Sequence, residues 1–107
     1  MKNFPGGMQN FMRQAQQMQK KMAKLQEELA VVTVDATSGG GAVTAVVTGT
    51  QLLSSIVINK EVVDPKDVDM LQDLVVTAVN EALKKSKAIS EAEMNKITGG
   101  LTMPGLF

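Results

Sequence analysis

Four cations have the spacing that suits chemistry in this chain, and the chemistry is charge neutralisation. Arg13, Lys20, Lys21 and Lys24 lie in a stretch, Met1 to Gln26, that also holds Lys2 and contains no acid. Arg13, Gln17, Lys20 and Lys24 follow one another at steps of four, three and four, which lines them along one stripe of a helix. The first acids, Glu27 and Glu28, come only at the end of that helix. The helix macrodipole prefers the opposite order, and each misplaced terminal charge forfeits about 0.3–1 kcal/mol. A solvated face is the plain reading of such a stripe. Helix stability gives no reason for the order of the charges, whereas a negatively charged partner would.

No other residues form a pattern for catalysis or ligand capture. The chain has no cysteine and no histidine. Thiolate nucleophiles, imidazole bases, disulfides and ordinary zinc sites are therefore excluded. SGGGAVTAVVTG, residues 38–49, lacks the Gly-Lys-Ser/Thr ending of a phosphate loop and reads as a hairpin. Glu61, Asp64, Asp67, Asp69 and Asp73 lack the spacing of a calcium loop and read as acids at a helix start. Ser54 and Ser55 have no readable base partner. Phe4, Phe11 and Phe107 are the only aromatics, too few for a platform that stacks single-stranded bases. The expectation is a protein without catalysis, cofactor, metal or small-molecule substrate.

The element that must position the cations is a helix from Met8 to Leu29. Met8, Phe11, Ala15, Met18, Met22, Leu25 and Leu29 alternate steps of three and four, a heptad seam held for three repeats. Gln, Lys, Ala, Arg and Glu fill the rest and all favour helix. Such a helix would be roughly 33 Å long. Phe11, Ala15, Met18, Met22, Leu25 and Leu29 are therefore expected at a homodimer interface, with the basic stripe turned away from it. Met12 falls beside the seam, and the methionines suit an adaptable packing surface.

At 107 residues the chain is one domain whose limited core would gain from dimerisation. Eleven basic and eleven acidic residues cancel, so attraction to a polyanion must be local. MKNFPGGMQNFMRQ has no apolar core of a secretory signal, and the apolar runs fall short of the ~20 residues a spanning helix needs. Residues 1–7 read as a flexible arm, because Pro5-Gly6-Gly7 resists regular structure. After the helix the period becomes two: Val32, Val34 and Ala36 alternate with Thr33, Asp35 and Thr37. Ser38–Gly41 makes a hairpin turn, Ala42–Thr48 a second strand, Gly49-Thr50 a tight turn, and Leu52–Ile58 a third strand. Asp64-Pro65 reads as cap and first residue of a last helix. Its apolar face, Val68, Leu71, Leu74, Val75, Ala78, Ala82 and Leu83, is wide enough to cover a sheet. Ser90-Glu91-Ala92-Glu93 either starts a fresh turn or continues that helix to about Thr98, and residues 99–107 read as a loose tail. The fold class is α+β, an αβββα order in which two long helices flank a three-stranded antiparallel meander across residues 8–98.

These segments together resemble a known family. GGMQNFMRQAQQMQKKMAKLQEEL, SGGGAVTAVVTG and MLQDLVVTAVNEALKKS are similar to the YbaB/EbfC family of bacterial nucleoid-associated proteins. The resemblance covers nearly the whole chain. It implies a homodimer with projecting first helices, binding to double-stranded DNA, and a place in the cytoplasm on the nucleoid, where the protein would shape DNA or modulate transcription. It also implies that Arg13, Lys20, Lys21 and Lys24 meet phosphates, assisted by Lys84, Lys85 and Lys87 on the last helix. Where family members commonly carry Asn-Gly-Lys in the second hairpin, Thr48 to Ser55 holds no cation here.

Two other functions fit the residues. The heptad helix could serve as a protein-interaction module with DNA binding weak or absent. A basic amphipathic helix could also lie on a membrane surface. The narrowness of the seam favours a helix partner over lipid.

Overall fold

The computed structural model describes residues 5–99 and has the order helix, three strands, helix. Helix α1 spans Pro5–Val31, strands β1, β2 and β3 span Thr33–Ser38, Val43–Thr48 and Leu53–Ile58, a 3-10 turn covers Lys60–Val62, and helix α2 spans Val68–Thr98. The sheet is an antiparallel meander in the order β1-β2-β3. The αβββα expectation is met. Residues 1–4 of the expected arm and residues 100–107 of the expected tail lie outside the described residues.

Helix α1 begins at Pro5, earlier than the Met8 start that the sequence suggests. Proline is tolerated in a first turn, where its missing N–H would have no partner anyway. Residues 5–7 thus continue the helix that residues 8–29 define.

Gly39, Gly40 and Gly41 all take positive φ in the first hairpin, as a turn of three glycines allows. The second turn lies at Gly49 and Thr50, where the sequence places it. The residue that follows, Gln51, holds the left-handed conformation, with φ of 62°. Its Nε2 donates to the Gly49 carbonyl and to Ser86 Oγ, each at 3.0 Å, and this pair of bonds holds the strained position. Beyond the turn, Val46 pairs with Ser55 and Val47 with Leu53, so Ser54 is the extra residue of a bulge.

Helix α2 starts later than the sequence predicts. Asp67 is its cap, with Oδ1 accepting from the Met70 amide at 3.2 Å. Asp64 instead closes a local turn by accepting from the Lys66 amide, which leaves Pro65 outside the helix. The helix runs unbroken through Ser90 to Thr98, and Gly99 caps it in the left-handed conformation.

Helix α2 lies on the face of the sheet formed by Val34, Ala36 and Ser38 of β1 and Val43, Ala45 and Val47 of β2. The core is small. Val43, Ala45, Val47, Ala78 and Ala82 are fully buried, and the two alanines let the helix backbone approach the sheet closely. Ser38 Oγ donates to the Leu74 carbonyl at 2.6 Å, and Ser86 Oγ donates to the Thr48 carbonyl at 2.7 Å. The contacts of α2 fall mainly on β1 and β2, and of β3 Ile56 packs against the margin of the core. Helix α1 does not cover the opposite face. It packs on α2 and touches the end of β2.

Candidate nucleic-acid interface

The cationic stripe sits on a helix that leaves the body of the protein. Every residue of α1 from Gly7 to Lys21 is exposed. The molecule measures 76 × 25 × 17 Å, a length that a 27-residue helix reaching past its support explains. Leu25 and Leu29 root that helix, at 6% and 3% exposure. The Gly49 amide donates to the Leu29 carbonyl at 3.0 Å and to the Val32 carbonyl at 2.9 Å.

The chain itself covers part of the expected dimer seam. Leu25 and Leu29 are consumed within the chain, because α2 and the β2–β3 turn already bury them. Met22 is half-buried. Phe11 at 67% exposure, Ala15 and Met18 remain free, together with Met8 and Met12. A heptad count could not separate the two halves of the seam, since an intramolecular partner helix and a second chain ask for the same spacing.

Arg13, Lys20, Lys21 and Lys24 are all exposed. Among the described residues none of them makes an ion pair within 4.0 Å. The first turn of α1 has no acid and its last turn no base, so the charge order that opposes the macrodipole stands in the folded chain. From Arg13 to Lys24 the stripe runs about 17 Å along the helix axis. That length matches about five steps of a nucleic-acid strand at 3.4 Å each.

The α2 lysines are placed differently. Lys85 Nζ donates to the Asp35 carbonyl at 2.9 Å, which pins the side chain to β1. Lys84 lies 3.7 Å from Glu81. Lys87 is exposed and lines an open groove with Gln51, Asn80 and Leu83. The structure therefore does not gather Lys84, Lys85 and Lys87 into one patch with the α1 stripe.

One cation that the sequence reading missed does join it. Lys96, near the end of α2, lines a groove with Lys21 and Lys24 of α1, and Glu28 and Glu93 lie in the same groove. Lys96 Nζ donates to Glu93 at 2.9 Å. Only the packing of α1 against the far half of α2 brings these residues together, and no local spacing signals it. The described residues hold no group of three His, Cys, Asp or Glu able to share a metal ion. They also hold no helix long and apolar enough to cross a membrane.

The αβββα frame agrees with the comparisons to known proteins. The sequence model of the YbaB/EbfC DNA-binding family matches residues 4–101. The chain belongs to that family. It is 55% identical to a nucleoid-associated protein of Acetivibrio thermocellus over 105 residues, covering 97% of this chain and 93% of that one. It is also 55% identical to a nucleoid-associated protein of Thermoanaerobacter pseudethanolicus over 106 residues, covering 97% and 96%. Among solved structures, an uncharacterised protein from Helicobacter pylori, HP0035, shares the fold with a TM-score of 0.72. That likeness has 21% identity and covers 79% of this chain and 89% of the other, so it speaks to the fold alone. Membership in the YbaB/EbfC family points to a DNA-binding protein and away from an enzyme.

Proposed function

We propose that this YbaB/EbfC protein is a homodimer that binds double-stranded DNA with weak sequence selectivity, on the nucleoid, where it shapes DNA or modulates transcription. The observation that carries the reading is the stripe of Arg13, Lys20 and Lys24, with Lys21 beside it, exposed and unpaired among the described residues on a helix whose dipole it opposes. Lysine and arginine contacts to phosphate position a protein without reading bases, which gives weak selectivity. No aromatic among the described residues other than Phe11 stands near the stripe, so base stacking has little to work with. Lys96 stands beside Lys21 and Lys24 at the root of α1 but is paired with Glu93, and Lys87 is the α2 lysine best placed to assist. The relatives named nucleoid-associated proteins support the cellular setting.

Fluorescence anisotropy with a labelled duplex tests this. Changing Arg13, Lys20, Lys21 and Lys24 together to Gln keeps helix propensity. The variant is expected to bind every duplex sequence weakly while keeping the wild-type circular dichroism and oligomeric state. Unchanged affinity would reduce the stripe to a solvated face and return the exposed part of α1 to the reading of a protein-interaction module.

A further inference from the structure

The exposed length of α1 has two faces that look in opposite directions. Met8, Phe11, Met12, Ala15 and Met18 are all exposed, Met8 at 59% and Met12 at 56%. At about 100° per residue, they share an apolar arc roughly 120° wide. Arg13, Lys20 and Lys24 lie roughly 160° round the helix from the middle of that arc. A duplex held by these cations leaves the arc uncovered on the far side. Among the described residues no part of the chain covers it either, since α1 is rooted only at Leu25 and Leu29.

We infer that this arc is the surface on which α1 of another dimer packs, so that DNA-bound dimers join at their helix tips. The inference rests on the DNA-binding homodimer reading above and adds to it a contact between dimers.

The spacing suits a helix as occupant. Met8, Phe11, Ala15 and Met18 keep the heptad steps of a helix-helix seam. An antiparallel copy sets Phe11 against Ala15 and Met8 against Met18, and the two-fold axis repeats each pair in reverse. Large thus meets small at the centre of the contact. Met12 and Gln14, the flanking residues nearest the axis, carry no charge. Arg13 and Lys20 stay on the outer side of each helix, so a joined pair holds a stretch of duplex on either side.

The same geometry disfavours lipid. With the arc laid on a membrane, the three cations would point to water, away from the head groups that attract them. The occupant is instead one that DNA delivers. The free seam is about one and a half heptads long, short of the three to four that argue for a coiled coil. Such a contact is weak between free dimers. Dimers lined up on one duplex meet at effective concentrations on the order of millimolar, where a weak contact closes.

Capture of a second duplex tests the inference. A long duplex on beads is loaded with protein and offered a labelled free duplex, which the wild type is expected to retain. Phe11→Gln with Met18→Gln keeps helix propensity. It is expected to lower the retained label roughly tenfold or more. The same variant should sediment as the wild type does and bind a short duplex with unchanged affinity. Equal capture by both proteins would overturn the inference. Dissociation of the variant to monomers would overturn it too, by placing the arc inside the dimer.

Cross-linking reads the contact directly. The chain has no cysteine, so Met12→Cys beside the axis and Gln17→Cys on the basic stripe each introduce a single thiol. A short bis-maleimide is expected to join Met12→Cys dimers into tetramers, more so when a long duplex is present. Gln17→Cys dimers are expected to stay unjoined. Links formed only within a dimer would overturn the inference. Tetramers that ignore DNA, beside a wild type that binds no duplex, would keep the contact and sink the DNA-binding reading instead. Retention on phosphatidylglycerol vesicles that the Phe11 and Met18 changes abolish, with no tetramers formed, would give the arc to lipid and overturn the inference.

Discussion

The amide of Gly49 donates to the carbonyl of Leu29 at 3.0 Å, and this bond fastens the β2–β3 turn to the last turn of α1. The approach is so close that a Cβ at residue 49 would lie 2.7 Å from that carbonyl oxygen and 3.0 Å from Leu29 Cδ2. Gly49 is thus a glycine for reasons of space, while Gly40, at φ of 68° with nothing near it, is one for reasons of conformation. The projecting helix and its cations are aimed from this joint.

Gly49→Ala should therefore destabilise the protein by about 1–3 kcal/mol, the usual cost of overpacking. Denaturant unfolding measures the loss, and hydrogen exchange locates it: amides from Leu25 to Val31 should exchange faster. Gly40→Ala should cost about 1–2 kcal/mol through its left-handed backbone alone. It should leave the α1 amides as protected as before.

Ser86 is the buried polar residue at the second end of the same turn. Its hydroxyl donates to the Thr48 carbonyl at 2.7 Å and accepts from Gln51 Nε2 at 3.0 Å. Ser86→Ala strands neither neighbour, because Thr48 keeps the Gln51 amide and Gln51 keeps the Gly49 carbonyl. The expected cost is about 0.5–1.5 kcal/mol. Ser86→Val should cost more, since the position is fully buried and has no room for a second branch. Thermal melts of the two variants check the order.

Much of this architecture is legible in the sequence because period and local chemistry dictate it. The seam from Met8 to Leu29 gives a helix, the Val-Thr alternation from Val32 gives a strand, and three glycines after Ser38 give the turn. What the sequence conceals is who buries what. Leu25 and Phe11 occupy equivalent heptad positions, yet one is packed against the body and the other faces solvent, because α2 ends before it can reach Phe11. The start of α2 is misread for a different reason. Asp64-Pro65 and Asp67 are both sound caps by type, and only the path of the chain after β3 selects the second. Of the candidate cations, those on α1 could be found by their lack of acids. Lys96 could not, because its nearness to Lys21 and Lys24 arises from two elements far apart in the chain.

No metal or nucleotide should be needed for folding. The chain has neither Cys nor His, and no described cluster of carboxylates can share an ion. Melts with a chelator, with zinc and with ATP are expected to overlay. A reproducible rise of several degrees with one of them would reveal a site, because a ligand that prefers the folded state stabilises it.

The salt dependence of DNA binding should separate the two lysine sets. Each phosphate neutralised adds about −0.9 to the log–log slope of affinity against salt. A dimer that engages Arg13, Lys20, Lys21 and Lys24 on both protomers would reach a slope near −7. Changing those four to Gln should remove most of it. Lys84, Lys85 and Lys87 should matter less when changed to Gln together, since Lys85 is held by the Asp35 carbonyl and Lys84 lies beside Glu81. Lys87 alone is left to meet phosphate, which limits the change in slope for a dimer to about 2. Anisotropy titrations at a series of salt concentrations read both variants directly. A larger loss of slope from the α2 set than from the α1 set would move the interface from the projecting helix to the groove beside Gln51.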